Sequence, residues 1–545
     1  MRVMQFVALP ASAAGDELEK TWKTLRHPNP PPPNSHARKM PSLRVLSFSA
    51  LCVAAQSTCG SASCTAPKSA CPTDAPTATA YGAGSYAWAE RMVNWSCVFS
   101  VKDFPGPPDA AFAAAQTAAV ANGGGVVFFP AGSYAFENNI TLASNVVIRG
   151  VPDARPAKAG KAPGALAPTS IFTCPNRAHQ GVWNYDPAAT NLGIVNIFLD
   201  QCAIMLWPGL KTTSYEPMLS SWWFSASDVT GMGSNKLVMG NVVRDVSLGQ
   251  SLLGPKHKNI YPYIFSIAVG VYTDRNALVA NNLLPASTRV EETKITLNKA
   301  GNITVPYMYD NRYGIDVNTI LLGAVAGAYA HGAGSPCGTP NAFAGLFPAC
   351  APWNFRAGIV IRDNYVAQNG RVGISWTGGA DAAMCTPGNG TLVLNNHVEV
   401  KSGTTCFTVN GDADAGGSDT NENRGFMNSG YCSNITGNSG HINRQMAGST
   451  PYETVDGEGI LHQSENGNDA FGDYYVDNDL SGGLSGYLGI WDLPNTNHTY
   501  FYGNTVNPDQ QIGVISLQND DMVGPEVHCS GNTPPAVLGK NVCPK

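Results

Sequence analysis

The chain has 545 residues, of which 43% are hydrophobic, so it is long enough for several domains or for one solenoid with a large core. Charged residues make up only 13%, a low share that is typical of β-rich secreted proteins. The formal net charge of -6 argues against a nucleic-acid partner, which requires a basic surface, and no apolar run reaches the roughly 18 residues of a membrane span.

The N-terminal residues resemble an extension followed by an export signal. Residues 1–39 contain "NPPPPNSHARK", which predicts a non-structured extension or a start site placed too early. Residues 40–55 begin with Met40, carry a basic residue and an apolar run, and end in small residues, which is the pattern of a signal peptide. We expect a secreted, extracellular protein cleaved between Ala55 and Gln56. The alternative for residues 1–39 is a propeptide or a targeting extension.

The cysteines agree with export. There are 14, one of which, Cys52, would leave with the signal, and no CxxC pair with zinc-ligand spacing exists among the others. Disulfides are therefore expected, and the odd number left implies one free thiol or a wrong start. Three pairs lie close enough in sequence to close loops: Cys337–Cys350, Cys385–Cys406 and Cys529–Cys543. Six Asn-x-Ser/Thr sequons permit glycosylation: Asn94, Asn139, Asn302, Asn389, Asn434 and Asn497.

Residues 56–97 are predicted to form a Cys-containing N-terminal segment, and residues 98–545 a single domain of stacked β coils. An Asn recurs between apolar positions at intervals near 40 residues, with one interval of 82 that suggests a degenerate coil near Tyr309–Asn318. An Asn in a tight turn tolerates left-handed backbone angles, and its amide can bond the Asn of the next coil. The predicted ladder comprises Asn196, Asn241, Asn282, Asn364, Asn396, Asn438, Asn478 and Asn504.

A second repeat has Gly followed by an apolar residue, as in "GVYTD" at Gly270, "GIDVN" at Gly314 and "GISWT" at Gly373. "CFTVN" at Cys406 fits the same repeat with Cys in the place of Gly. Short strands with period-2 alternation and regular turns favour stacked β coils that bury each other's apolar residues. A β-sandwich or a propeller is the alternative, but the irregular spacing favours a solenoid whose turns carry loops of different length.

The start of the domain combines an Ala-rich segment, a glycine run, an apolar strand, Pro-x-Gly-x-Tyr and a second apolar strand. These features lie at Ala110–Val120, Gly123–Gly125, Val126–Phe129, Pro130, Gly132, Tyr134 and Val146–Gly150. Their order resembles the N-terminal cap of the pectate-lyase-like superfamily of right-handed parallel β-helix proteins. The resemblance implies an all-β, right-handed parallel β-helix with a short N-terminal capping helix. One departure is "PGPPD" at Pro105–Asp109, where the superfamily commonly has an acidic Gly-Asp-Gly segment.

The same resemblance implies pectate or pectin lyases, polygalacturonase-type or other glucan hydrolases, uronan epimerases, or non-catalytic spikes. The sequence lacks the Asn-Thr-Asp, Asp-Asp, Gly-His-Gly and Arg-x-Lys set of the polygalacturonases. It also lacks the Trp-x-Asp-His segment of Ca-dependent pectate lyases. Fold alone does not choose among the remaining activities.

The strand after each Gly offers a face for a sugar chain. If the residue after Gly points inward, the next points outward, and polar and aromatic residues follow at that spacing. The predicted substrate-binding residues are Tyr272, Asp274, Asp316, Asn318, Trp376, Asn410, Gln463 and Trp491. The alternative is an ordinary solvated sheet face.

The predicted catalytic residues are Asp412, Asp414, His462 and Glu465, drawn from "NGDADAGGSD" and "TVDGEGILHQSENGND". Carboxylates one or two coils apart suit acid and base in glycoside hydrolysis, and a histidine serves as a base at neutral pH. For a lyase, the base could be His462, Tyr313, Arg312 or Arg424. Turn-capping Asp residues and a structural His are the alternative.

We expect an enzyme that cleaves a polysaccharide, with hydrolysis favoured over a uronate lyase or epimerase and over a non-catalytic glycan-binding or wall-structural β-helix. No cofactor is required, although the acidic loops could hold calcium. The expected partner is the polysaccharide alone, with no nucleic acid and no membrane, and we expect a monomer.

Overall fold

The structure is a computed structural model. It describes residues 71–152, 168–174, 181–184, 186, 188–208, 233–246, 267–273, 275–286, 290–297, 301–308, 313–318, 358–367, 372–377, 390–400, 422–428, 432–442, 456–462, 472–482, 487–491, 499–508, 511–515, 527–538 and 541–542. All of them belong to one compact unit, Ser61–Lys545; the other unit, Met1–Gly60, lies outside the described residues, as do the predicted extension and signal peptide.

Three stacked parallel sheets, named A, B and C, form a coil whose chain visits each sheet once per turn. Sheet A runs in the order β1 (Val98–Ser100), β2 (Gly125–Phe128), β5 (Val146–Arg149), β8 (Leu192–Val195), β11 (Ser234–Met239), β14 (Arg275–Ala280), β19 (Ile359–Arg362), β22 (Thr391–Leu394), β25 (Ser433–Thr436), β28 (Tyr474–Val476), β31 (Thr499–Tyr502) and β34 (Val527–Ser530).

Sheet B runs in the order β3 (Gly132–Ala135), β6 (Ser170–Thr173), β9 (Phe198–Asp200), β12 (Val242–Arg244), β15 (Leu283–Leu284), β20 (Tyr365–Val366), β23 (His397–Val400), β26 (Ser439–Ile442), β29 (Asp479–Leu480) and β32 (Thr505–Val506).

Sheet C runs in the order β4 (Ile140–Thr141), β7 (Gly181–Asn184), β10 (Ala203–Pro208), β13 (Ile267–Tyr272), β18 (Tyr313–Asn318), β21 (Val372–Thr377), β24 (Glu422–Asn428), β27 (Asp456–His462), β30 (Tyr487–Trp491), β33 (Ile512–Ile515), β35 (Val537–Leu538) and β36 (Asn541–Val542). Only its last pair, β35 with β36, is antiparallel among the described strands of the three sheets. The parallel β-helix expected from the repeats is thereby confirmed.

The predicted capping helix is confirmed as α3 (Pro108–Ala121). Its buried face, which includes Phe112 and Ala115, packs over the first coil, and the Phe112 ring stacks on Phe129 at a centroid distance of 6.2 Å. Asp109, the last residue of the unusual "PGPPD" segment, accepts hydrogen bonds from the backbone N–H groups of Glu137 and Asn138. That carboxylate therefore ties the start of the helix to the first coil.

Two further helices, α1 (Pro76–Tyr81) and α2 (Ala87–Arg91), precede the coil, and a 3₁₀ turn (Val101–Asp103) follows β1. The segment around them packs on the outward face of sheet A, where buried Met92 and Trp95 join Val126 and Leu237 in one apolar cluster. Residues 71–97 thus cover a sheet face that would otherwise expose apolar side chains to water. Among the described residues no helix is long and apolar enough to cross a bilayer.

The asparagine ladder lies at the corner between sheets A and B. From Asn241 to Asn504, the side-chain amide of each Asn donates to Oδ1 of the next, as from Asn364 to Asn396 at 2.9 Å. It also donates to a backbone carbonyl inside the coil, as from Asn364 to Val279 at 2.9 Å. The observed members are Asn241, Asn282, Asn364, Asn396, Asn438, Asn478, Asn504 and Asn532.

Asn196 is not a ladder member, which corrects the prediction. Asn241 Oδ1 accepts instead from the backbone of Ile197, so the ladder column passes one residue after Asn196. Asn196 has a φ of 54° and occupies the left-handed corner position that Asn281 and Asn395 take in other coils. Two adjacent corner positions therefore favour Asn, one for its backbone and one for its amide.

The interval of 82 residues is one coil rather than two, which corrects the expectation of a degenerate coil. Asn282 donates directly to Asn364 at 3.0 Å, and β14 pairs with β19 in sheet A. Between them the chain carries β18 and an antiparallel hairpin, β16 (Val290–Leu297) with β17 (Gly301–Met308). The long interval is therefore an insertion in a single coil.

Cysteine pairing is partly visible. Cys174 and Cys202 form a disulfide, and Cys97, Cys432 and Cys529 are also disulfide-bonded. Cys71 is a free thiol. The three predicted loop-closing pairs each include residues outside the described part of the chain.

Candidate functional site

The predicted substrate face lies on sheet C, and its register differs from the one read off the glycines. Ile315 pairs with Ile374, each one residue after a glycine, as expected. In β13, however, Gly270 pairs with Asp316, two residues further along than the Gly alignment implies. Tyr272 consequently pairs with Asn318 rather than with Asp316.

Gly373 in this repeat marks a close approach inside the coil. A Cβ added at Gly373 would lie 2.3 Å from Val398 Cγ1 and 2.6 Å from the carbonyl oxygen of Gly425. The glycine at this position therefore reflects the packing of sheet C against sheet B and does not by itself define a ligand face.

Tyr272 and Asp316 form a hydrogen-bonded pair on the outward face of sheet C. Val269, Val271 and Ile315 belong to the core, and side chains alternate along a strand, so Tyr272 and Asp316 lie on the opposite side of the sheet, where Tyr272 is itself packed against the core cluster. The Tyr272 hydroxyl donates to Asp316 Oδ2 at 2.9 Å, and the two residues are 5% and 3% exposed. A carboxylate and a phenol are thus held together almost out of solvent.

Trp376 lies in the core, which corrects its predicted place on the substrate face. It is 0% exposed, and its indole N–H donates to Ser433 Oγ at 3.0 Å. It pairs with Val317 in β18, a core position, so alternation turns its ring inward. Trp376 therefore offers no ring to a sugar in this arrangement.

His462 is the last residue of β27 and pairs with Asn428 in β24. Asn428 in turn pairs with Trp376 in β21, so the three residues form one column across the sheet. The described side chains of that column, among them Val317, Trp376 and Asn428, are buried. Trp491 ends β30 and pairs with Ile515 in β33.

Six predicted site residues lie outside the described residues: Asp274, Asn410, Asp412, Asp414, Gln463 and Glu465. The strands nevertheless fix where their segments attach. Residues 401–421 lead into the start of β24, whereas residues 463–471 leave the end of β27. These two parallel strands have seven residues each, so their opposite ends are about 20 Å apart.

Charged residues gather where β24 and β27 begin. Glu422 pairs with Asp456, and Arg424 pairs with Glu458, on directly neighbouring parallel strands. The column of Arg424 continues through Val372 to Tyr313 two strands away. Three carboxylates, a guanidinium and a phenol therefore belong to residues at one end of sheet C.

Glu422 was absent from the predicted site, although a signal for it exists. "ENRGF" and "DGEGI" align on Gly425 and Gly459, because Phe426 pairs with Ile460. The same alignment can be made from the two sequence motifs alone, and it places Glu422 beside Asp456. The prediction missed it because it took "CFTVN" as the strand of this coil, whereas the strand in the structure is Glu422–Asn428.

No protein-family model matches this chain, and no curated protein matches it. By its sheets the chain is a parallel β-helix protein. Among solved structures, the mannuronan C-5 epimerase AlgE6 A-module of Azotobacter vinelandii covers 80% of this chain and 98% of its own, at 14% identity and a TM-score of 0.34. A Thermotoga maritima exopolygalacturonase covers 82% and 95%, at 13% identity and a TM-score of 0.32.

The surface adhesin PfbA of Streptococcus pneumoniae covers 80% of this chain and 92% of its own, at 11% identity and a TM-score of 0.31. Identities and TM-scores this low assign no activity to the chain.

Proposed function

We propose that this chain is a secreted enzyme that cleaves a polysaccharide bound at the end of sheet C where β24 and β27 begin, by glycoside hydrolysis. The observation that carries the proposal is the register of β24 and β27, which puts Glu422 beside Asp456 and Arg424 beside Glu458. Hydrolysis of a glycosidic bond requires two carboxyl groups on the two sides of that bond.

The spacing of these carboxyl-bearing residues suits that reaction. Neighbouring parallel strands are about 4.8 Å apart, and glycosidases hold their two carboxyl groups at about 5–9.5 Å. One carboxyl group protonates the leaving oxygen, while the other attacks the sugar or activates water. In our proposal Glu422 and Asp456 form this pair, and Arg424 assists by its positive charge.

The originally predicted catalytic residues divide between the two ends of the strands. Asp412 and Asp414 belong to the segment that enters β24 at the charged end, so they join Glu422 and Asp456 as candidates. His462 and Glu465 belong to the opposite end and would have to reach across the sheet. Asp412 and Asp414 are also the residues that could hold calcium, which prefers oxygen ligands.

Binding of a sugar chain would extend along sheet C from this end. Aromatic rings stack on sugar faces, and short polar side chains bond hydroxyl groups. Tyr272 and Asn318 share a register column, and the Tyr272 hydroxyl orients Asp316. The other proposed contacts are Asp274, Asn410, Gln463 and Trp491.

A second candidate, a uronate lyase or epimerase, is favoured by one specific observation. Tyr313 and Arg424 fall in one column, two strands apart, which corresponds to about 10 Å between their backbones. A guanidinium can neutralise a uronate carboxylate, and a phenol can move the proton on the neighbouring carbon.

The test is product analysis with the full chain on a panel of neutral and uronate polysaccharides. New reducing ends without ultraviolet absorbance of unsaturated sugars indicate a hydrolase. Unsaturated ends indicate a lyase, and a changed uronate configuration in NMR spectra indicates an epimerase. Binding without any product contradicts the proposal and identifies a glycan-binding protein instead.

Once a substrate is found, matched variants test whether Glu422 and Asp456 are the catalytic residues. Glu422→Gln and Asp456→Asn should each lower kcat by about 100-fold or more, since each removes a proton-transferring or attacking group. Asp479→Asn is the control, because Asp479 is an exposed carboxylate on sheet B. Unchanged kcat in both test variants would exclude this pair.

A further inference from the structure

A separate cluster of titratable side chains lies on the outward face of sheet B. Val398 in β23 is buried in the core, so its neighbours His397 and Glu399 face the other way. His441 in β26 pairs with Glu399, which brings it to the same outward face. None of these three belongs to the sheet C site proposed above.

The three side chains converge at short range. One ligand atom from each of His397, Glu399 and His441 lies within 4.8 Å of the others. His397 Nε2 is 3.6 Å from Glu399 Oε1, and the rings of His397 and His441 are 5.4 Å apart, edge to face. His397 is 6% exposed, whereas His441 is exposed at the mouth of the cluster.

Hydrogen bonds outside the trio fix the orientation of two members. His397 Nδ1 lies 2.8 Å from Ser439 Oγ, which leaves Nε2 directed toward Glu399. The Tyr365 hydroxyl bonds Glu399, and burial together with that bond raises the pKa of Tyr365. The Tyr365 ring also stacks on His397 at 5.3 Å. Such partners are how metal-binding His and carboxylate side chains are usually held.

Gly482 in the next coil leaves the space that the His441 ring occupies. A Cβ at this position would lie 2.1 Å from His441 Cδ2 and 2.3 Å from Nε2. Even the smallest side chain there would force the His441 imidazole to shift. The absence of a side chain is therefore required for the arrangement of the three groups.

We propose that His397, Glu399 and His441 bind one divalent transition-metal ion of the zinc class. Two imidazoles and one carboxylate form a donor set that zinc accepts, with bonds of about 2.0–2.2 Å and a fourth position left to water or another ligand. Donor atoms in such a site are about 3.3 Å apart, so the separations within the trio must shorten by at most about 1.5 Å. The exposed His441 can make most of that movement.

The test is metal binding by the full chain, freed of any histidine tag. Isothermal titration with ZnCl₂ should show one equivalent bound, and CoCl₂ should give the visible absorption of a tetrahedral Co²⁺ site. His441→Ala should weaken zinc binding by at least about 100-fold and abolish the cobalt spectrum. Because His441 is exposed, this variant is expected to keep its fold, and circular dichroism would check it.

His528→Ala is the matched control, since it removes another exposed sheet histidine outside the cluster. It should leave both signals unchanged. Gly482→Ala should weaken zinc binding by about 10–100-fold while keeping all three ligands, because it displaces His441. Failure of the wild-type chain to bind Zn²⁺ or Co²⁺ would overturn the proposal, as would equal binding by wild type and His441→Ala. Neither result would affect the hydrolase proposal, which uses other residues.

Discussion

The corner between sheets A and B differs sharply from the two edges of sheet C. From β8 onward, two residues join each sheet A strand to its sheet B partner, as Gly240 and Asn241 do between β11 and β12. The connections into sheet C vary instead, from two residues between β9 and β10 to residues 285–312, which include the β16–β17 hairpin, between β15 and β18. The same coil is therefore tightly specified at one corner and free to vary at the others.

The difference has a physical cause. At the A–B corner, each ladder Asn bonds the next Asn and a backbone carbonyl, so an inserted residue would break buried hydrogen bonds in two coils. At the sheet C edges, insertions extend outward and leave the stacked strands paired. The residues of the proposed hydrolase site lie at these edges, where segments can change without unfolding the coil.

Substitutions in the interior of sheet C should destabilise the fold as much as substitutions at the A–B corner, although the connections at the edges of sheet C vary in length. Trp376→Ala removes a fully buried indole and should lower the free energy of unfolding by about 3–5 kcal/mol, measured by denaturant titration. Trp376→Phe keeps most of the volume and loses only the bond to Ser433, so its loss should be smaller. A Trp376→Ala chain of normal stability that no longer bound its glycan would restore the substrate-binding role predicted for this residue.

The architecture was predictable because it repeats. The Asn column and the Gly-apolar pairs recur along the chain, the Ala-rich cap precedes them, and stacking is the arrangement that buries their apolar residues. The prediction failed by one residue at Asn196, since the left-handed corner position and the ladder position are adjacent and both favour Asn.

The candidate site was less predictable, for two physical reasons. The glycines do not stay in register from coil to coil, since Gly270 pairs with Asp316, so aligning coils on Gly270 shifted Tyr272 by two residues relative to Asp316. Residues such as Asp412 lie in connections whose length varies, and periodicity carries no information there. Aligning coils on the ladder works better: Glu399 and His441 each follow their ladder Asn by three residues, and they pair in the structure.

The ladder should be weaker at its end than in its middle. Asn396→Leu removes an amide that donates to Asn438 and Ile361 and accepts from Asn364, so it should cost about 3 kcal/mol of unfolding free energy. Asn532→Leu, in the last observed member, removes bonds on one side only and should cost about 1–2 kcal/mol. Equal losses would mean that the bonds between coils contribute little.

A second, shorter ladder at the start of the sheet A strands should contribute less than the corner ladder. Asn235 donates to Asn191 at 2.7 Å and accepts from Asn276 at 2.8 Å, with a φ of 63°. Asn235→Gly tolerates the left-handed backbone but loses the side-chain hydrogen bonds, which should lower the free energy of unfolding by about 1 kcal/mol. Asn235→Ala also introduces backbone strain, so its total loss should be about 2 kcal/mol. Thermal unfolding of the two variants should separate these contributions, and identical losses would rule out the backbone contribution.

The smallest expected effect on stability concerns the outward face of sheet A, where the strand register places two tyrosines side by side. Tyr474 pairs with Tyr500, and their rings stack at 4.4 Å. Burial first, then the neighbouring Tyr500, raises the pKa of Tyr474 to about 12. The unfolded chain releases this proton near pH 10, so the folded state binds it more tightly. Its contribution to stability is therefore complete below pH 10 and is lost as the pH rises toward 12. Denaturant titrations between pH 9 and 12 should show a shallower decline for Tyr474→Phe than for wild type, and parallel declines would show that the stacked pair does not hold the proton.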